Sequence, residues 1–413
     1  MFRRIILLLL VIALLGSACG KAAVDEEKGV RQYTLTDLDK RVVEASNSFG
    51  MRLYREISRA NPNMNVFISP LSISSALSMV YNGASGTTLE EMAKSLGLDG
   101  MTKKESGHGY RVALDLLTHP ADEEIGLTVA NSLWMRKGKT FHETFVQQSR
   151  DDYAAEVSEL IFSSPNAART MNRWVKNRTN GKIPDIVDNV KPQSVMYVLN
   201  AVYFEGKWTE PFLPDSTTSG EFQTLASETV PVKMMARGGQ YEYVQADGYQ
   251  AIRMPFGKKA SVSMVILLPD EVEGIVSLQE MLAEDTTRLT KPFEKRPGRV
   301  ELPRVHIEYE ASLKESLRTI GMKEAFIPIR ADFSSIAPTP PNLFINNVTH
   351  KTFLEITEQG TVAAAATTVE MLAGSAPAEA PFHMIMNRPF VLAIVDHDTD
   401  SILFVGTIMN PNG

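Results

Sequence analysis

The chain has 413 residues, 44% of them hydrophobic and 22% charged, with a formal net charge of -7. That composition excludes a disordered chain, and the acidic balance argues against a general nucleic-acid binder. A single cysteine excludes an internal disulfide framework and any cysteine cluster for metal, so the core must hold without covalent staples.

Residues 1–18 read as an export signal. Arg3 and Arg4 give a basic start, residues 5–15 an unbroken apolar core too short for an ordinary membrane span, and Gly16, Ser17 and Ala18 a run of small residues. Cys19 follows at once, and there the segment resembles a bacterial lipoprotein signal, whose cysteine becomes the lipid-modified N-terminus. An ordinary signal cut near Ala18 is the alternative. Residues 19–36, charged and poor in bulky side chains, read as a tether, and residues 37–413 as one folded domain.

Residues 37–58 place Leu38, Val42, Ala45, Phe49, Leu53 and Ile57 at helical spacing. Residues 65–68 form a short strand, and Ser69-Pro70-Leu71-Ser72 opens a helix with proline in its first turn and hydroxyls that can cap exposed amides. A Thr-capped helix is expected over 88–96, strands near 125–135, 194–204, 240–245, 251–255 and 262–268, and a helix over 312–320. Residues 352–358 alternate as a half-buried strand, and 390–395 pairs with 402–408 through an Asp-rich turn. There is no internal repeat and no linker in the middle, so one large mixed α+β domain is the simplest architecture.

Catalytic motifs are missing. No nucleophile elbow and no His-Glu-x-x-His occurs, and Gly138-Lys139-Thr140 lacks the earlier glycine of a phosphate loop. Asp396, Asp398 and Asp400 copy half a calcium loop, but Ser401 and Thr407 stand where glycine and glutamate are needed, leaving a solvated turn. Lys103, Lys104, His108 and Arg111 are interrupted by Glu105 and read as a solvated face rather than a polyanion site. No enzyme activity, metal or cofactor is expected.

The unusual stretch is residues 358–381. It has no Lys, Arg or aromatic residue, and it carries a run of four consecutive alanines, Ala363, Ala364, Ala365 and Ala366, between strand-like segments. A connection this long in a compact domain is usually functional or disordered.

Four blocks carry a resemblance. Asn65-Val-Phe-Ile-Ser-Pro-Leu-Ser, continuing to Gly-Ala-Ser-Gly-Thr-Thr-Leu-Glu-Glu-Met92, then Asn200-Ala-Val-Tyr-Phe-Glu-Gly-Lys-Trp208, then Glu358-Gln-Gly-Thr361 with its alanines, and finally Asn387-Arg-Pro-Phe390 with Phe404-Val-Gly406, occur in the order seen in serpins. The match spans residues 37–411. It implies a single serpin domain: a large mixed central β-sheet, further sheets, eight or nine helices and an exposed reactive loop. It also implies suicide-substrate inhibition of proteases, in which the cleaved loop enters the central sheet as a new strand.

By that resemblance Glu358, Gly360, Thr361, Val362 and Ala363 to Ala366 are the loop hinge. Ser69, Ser72, Asn200 and His350 form the shutter beneath the opening point, and Trp208, Arg304 and Glu358 the breach where the loop enters. Gly360 permits a pivot and the alanines can slide between strands, while Thr361 would face the interior on insertion. Counting from Glu358 puts the reactive bond at Gly374-Ser375, whereas counting back from Pro389 gives Ala378. Ala373 and Ala376 share the small size suited to an elastase- or subtilisin-like target, and Met371 and Leu372 offer an anchor for a chymotrypsin- or papain-like one. The expected partner is such a protease, held covalently by a monomer that touches membrane only through a lipid on Cys19. A non-inhibitory serpin acting as a binding protein is the alternative.

Overall fold

The computed structural model describes residues 23–24, 31–32, 34–120, 122–338, 342–361 and 380–413. They belong to two units, Met1–Thr34 and Leu35–Gly413. In the first, β1 (Ala23–Val24) pairs antiparallel with β2 (Arg31–Gln32), so the stretch read as a tether carries a short strand pair. Everything below concerns the second unit.

Its helices are α1 (Asp37–Ala60), α2 (Pro70–Tyr81), α3 (Gly86–Leu96), α4 (Lys103–Thr118), α5 (Glu143–Tyr153), α6 (Ala167–Arg178), α7 (Gly274–Glu284), α8 (Thr287–Thr290) and α9 (Lys314–Thr319). Thr36, read as the last tether residue, is the N-cap of α1: its hydroxyl accepts from the Asp39 amide while the Asp39 carboxylate accepts from Thr36. Ser69 caps α2, with Pro70 at the first helical position. Every residue of α2 is buried, because the helix runs behind the sheet that carries the site.

That sheet has five strands: β4 (Ile125–Arg136), β5 (Glu156–Leu160), β6 (Met196–Gly206), β12 (Val305–Ser312) and β13 (Thr349–Ile356), in spatial order β12-β13-β6-β4-β5. A second, nine-stranded sheet contains β3 (Val66–Ile68), β7 (Thr218–Gln223), β8 (Thr229–Ala246), β9 (Tyr249–Phe256), β10 (Val262–Pro269), β11 (Glu294–Pro303), β14 (Phe382–Ile385), β15 (Phe390–Asp396) and β16 (Ser401–Ile408). Strands β10, β15 and β16 are buried along their whole length, which is why they read as continuous apolar runs.

Four local expectations are corrected. Helix α3 begins at Gly86 with Ser85 as N-cap, and Thr88 is used elsewhere, its hydroxyl accepting from the Asp332 amide. Ser312 ends β12 and the helix starts at Lys314. Lys103 is not on a solvated face: its ammonium donates to the carbonyls of Asn82 (3.0 Å) and Ala84 (2.7 Å), satisfying the end of α2. Asp396 is not in a solvated turn: it is the last residue of β15 and buried, accepting from the Thr399 amide and hydroxyl, and burial pushes its carboxyl up to about 6.

Candidate functional site

Strand β13 delivers the chain to Ile356, and a turn follows at once. The Thr357 amide donates to the Gly360 carbonyl (2.8 Å) and the Gly360 amide donates back (3.3 Å). The turn is docked on the segment after β6: the Trp208 amide donates to Gln359 O (2.9 Å), the Trp208 indole to Thr357 O (3.0 Å) and the Phe212 amide to Glu358 O (2.9 Å). Gly360 has φ +138°, and a Cβ there would lie 2.0 Å from the Gly206 carbonyl oxygen. The requirement for glycine is therefore close backbone approach as well as backbone freedom.

Thr361, expected to face the interior on insertion, is already buried. Its side chain is 2% exposed. Its amide donates to Gly206 O (2.8 Å), and its hydroxyl accepts from the Gly206 amide (2.7 Å). Together with the antiparallel bridge Lys207–Gly360, this sets the first residues of the hinge against the upper end of β6. A β-branched residue with a hydroxyl suits the place, since it fills the gap and satisfies a strand amide that has no ladder partner.

Glu358 and Arg304 meet beside this turn. Arg304 lies between β11 and β12, and its guanidinium donates to Glu358 through Nε (2.9 and 3.1 Å) and a terminal nitrogen (2.6 Å), while the Thr217 hydroxyl adds a bond of 2.6 Å. Glu358 is buried, which by itself would raise its pKa. The donors from Arg304 and Thr217 outweigh that and hold its carboxyl below the usual range. Trp208 is buried as well, stacked on Phe256 at 4.4 Å with Phe212 edge-on.

Ser69, Ser72, Asn200 and His350 come together beneath the middle of the sheet. The Ser69 amide donates to His350 Nε2 (3.1 Å), the Ser72 amide to Ser69 Oγ (3.4 Å) and the Ser72 hydroxyl to Asn200 Oδ1 (2.6 Å). The chain of bonds runs further than the sequence motif, from Asn200 Nδ2 to Asn131 Oδ1 (2.7 Å) and from Asn131 Nδ2 to Tyr153 O (3.1 Å). It crosses β13, β6 and β4 and ties them to α2 and α5. Asn131 and Tyr153 escape sequence reasoning because only the pairing Asn131–Asn200 across β4 and β6 brings them in. Burial pushes the His350 imidazole down to about 3, so it is neutral and can accept the Ser69 amide.

Strands β6 and β13 run parallel, and between them the register pairs are Lys351–Ala201 and Thr352–Val202 alone. Above that weld Tyr203 and Phe353 face each other with ring centroids 6.4 Å apart. Below it opens a cavity of about 780 Å³, walled by β6 residues 196–200 and by residues 342–349, with Leu77, Val80, Phe333 and Ile336 behind. The free edge of lower β6 thus faces an open space.

Cys19, Val362, Ala363, Ala364, Ala365, Ala366, Met371, Leu372, Ala373, Gly374, Ser375, Ala376 and Ala378 lie outside the described residues. Among the described residues no group of three or more His, Cys, Asp or Glu is placed to hold a metal.

The site is thus a five-stranded sheet whose β6 and β13 are joined by two register pairs, with a cavity below them and Thr361 seated against the upper end of β6. The chain belongs to the serpin family. The family model for Serpin (serine protease inhibitor) matches residues 44–411. The chain is 36% identical over 381 residues to a serpin-like protein of Thermococcus kodakarensis, covering 90% of this chain and 86% of that one. It is 32% identical to leukocyte elastase inhibitor of Bos taurus, with 89% and 98% covered. Among solved structures, the native state of the thermophilic serpin tengpin superposes with a TM-score of 0.83 at 30% identity, covering 94% of this chain and 99% of that one.

Proposed function

We propose that the chain is an inhibitory serpin that traps secreted serine endopeptidases of elastase, subtilisin or chymotrypsin type, with papain-like cysteine endopeptidases as a second class. The observation that carries this reading is the register at the hinge. With Thr361 opposite Gly206 in antiparallel sense, residues 361–371 fall opposite residues 206–196, the whole length of β6. Thr361, Ala363, Ala365, Thr367, Val369 and Met371 would then point inward. The last three would occupy the cavity beside residues 196–200, which the structure already holds open.

In this mechanism the protease nucleophile attacks the carbonyl carbon of Gly374. The bond to the Ser375 nitrogen breaks, the new amine takes a proton from the protease acid, and Gly374 stays esterified to the enzyme. Insertion of residues 362–371 adds on the order of 10 ladder hydrogen bonds, each worth about 1 kcal/mol net, and carries the tethered enzyme along the sheet before water can release it. The absence of Lys and Arg between Glu358 and Pro381 disfavours a trypsin-like target.

Incubation with elastase-, subtilisin-, chymotrypsin- and papain-type proteases, followed by denaturing gels, tests the reading. A covalent complex is expected, with a released C-terminal peptide beginning at Ser375. Cleavage without complex across the panel would refute it and favour a binding serpin. We further propose that the chain is a bacterial-type serpin, exported and held at the cell envelope by a lipid on Cys19. This is supported by the basic, apolar and small-residue order of residues 3–18. Recovery of Cys19→Ser protein in the membrane fraction would argue against the anchor.

A further inference from the structure

Between α6 and β6 the chain crosses the outer face of the five-stranded sheet, and one lysine in this connection touches both strands that flank the weld. Lys182 Nζ lies 5.9 Å from the ring centroid of Tyr203 on β6 and 5.1 Å from that of Phe353 on β13. It also lies 3.7 Å from the carboxylate of Glu355 on β13. Its backbone is fixed locally. The Lys182 amide donates to Thr179 O (2.8 Å), and the Thr179 hydroxyl accepts from the Ile183 amide (3.1 Å). Beyond it, Asn172 Oδ1 accepts from the amides of Ile186 and Val187, and Asp185 accepts from Lys351 Nζ at 2.7 Å. The cation is therefore presented from a pinned segment and not from a free loop.

The contact distinguishes a closed sheet from an open one. Neighbouring strands lie about 4.8 Å apart, so admitting a strand moves β6 and β13 to roughly twice that separation. A cation is attracted to an aromatic face only within about 6 Å of its centroid. Both contacts of Lys182 are already near that limit, so once the strands part it can keep one ring but not both. A group that binds one state better than the other shifts the equilibrium by that difference.

We infer that Lys182 is a positioning residue that clasps β6 to β13 and sets how readily the sheet opens. This rests on the reading that the sheet admits a strand, and it adds to that reading a control point on the opposite face from the shutter. Lys182 acts through Tyr203, Phe353 and Glu355.

The test compares the full chain with Lys182→Met, which keeps the apolar stem and loses the charge, and with Lys182→Arg, which keeps a cation able to stack on aromatic rings. Hydrogen exchange is followed in peptides covering residues 196–206 and 349–356, with 262–269 and 401–408 of the other sheet as reference. The expected result for Lys182→Met is exchange roughly five- to thirty-fold faster in the first pair only, the size of two cation–π contacts and a partly exposed ion pair. Lys182→Arg should stay within about threefold of the parent chain. Unchanged exchange in β6 and β13, or an equal rise in both sheets, overturns the inference, the second because it marks a general structural role. The fraction of protease trapped is measured alongside and should rise in Lys182→Met. If the parent chain traps no protease, the inhibitory reading fails while the exchange data still decide the clasp.

Discussion

Replacing Thr361 with arginine tests the seat at the top of the sheet and the mechanism that follows from it. Thr361 is 2% exposed and its hydroxyl accepts from the Gly206 amide at 2.7 Å, with no carboxylate among the residues bonded to it. In the native form the hinge can withdraw and place arginine in water, losing the seat's two main hydrogen bonds at about 1 kcal/mol net each. The inserted form has no such escape, because residue 361 must enter beside Gly206 before residue 363 can follow. Burying an unpaired guanidinium there costs several kcal/mol. A penalty of about 3 kcal/mol in the insertion step slows it on the order of a hundredfold. Deacylation then wins, and Thr361→Arg is cleaved as a substrate. The assay is the ratio of trapped complex to cleaved chain on denaturing gels against any protease that the parent chain traps. Thr361→Ser, which keeps the hydroxyl, should trap as the parent does. Trapping by Thr361→Arg at the parent ratio would refute the reasoning.

Two further outcomes follow from the buried polar chain beneath the sheet. Ser72→Ala removes the 2.6 Å donor to Asn200 Oδ1 and leaves that atom buried without it, so native stability should fall by about 1–3 kcal/mol, and an unchanged urea midpoint would count against the network. His350, pushed down to about 3 by burial, refuses a proton that the unfolded chain takes up near pH 6.5. Its contribution is intact above pH 6.5 and is lost at about 1.4 kcal/mol per pH unit as the pH falls toward 3. His397, pushed down to about 4 by burial, acts in the same sense, whereas Asp396, pushed up to about 6, is favoured by the fold when protonated and opposes them. His350→Gln should therefore flatten the dependence of the urea midpoint between pH 6 and 4 relative to the parent chain. Coincident slopes would remove His350 from the account.

Much of this molecule is legible in local sequence because local physics decides it. The Ser69-Pro70 start of α2 and the periodicity of α1 follow from capping chemistry and helical spacing alone. The alternation over residues 352–356 gives a strand, and the order of the four motif blocks gives the family without any contact being known. Where sequence reading erred, packing that the local sequence does not show had decided the outcome. Lys103 sits in a charged run, yet serves the carbonyls of Asn82 and Ala84. Asp396 adjoins an aspartate-rich turn, yet ends β15 and is buried.

The site divides in the same way. Gly360, Thr361 and Glu358 are marked by residue type: small, β-branched and acidic at set spacing. That Gly360 must pass within reach of the Gly206 carbonyl, that Thr361 is already seated, and that Arg304 grips Glu358 depend on β6, β13 and the β11–β12 junction meeting in space. Asn131, Tyr153 and Lys182 carry no sequence signal, since an asparagine, a tyrosine and a lysine are ordinary until a strand pairing sets something opposite them. The sequence by itself determined that residues 358–381 are the unusual stretch and which family the motif blocks resemble. Only the tertiary structure decided where the sheet has a gap, because a gap between strands is a property of two distant segments and of the side chains that hold them.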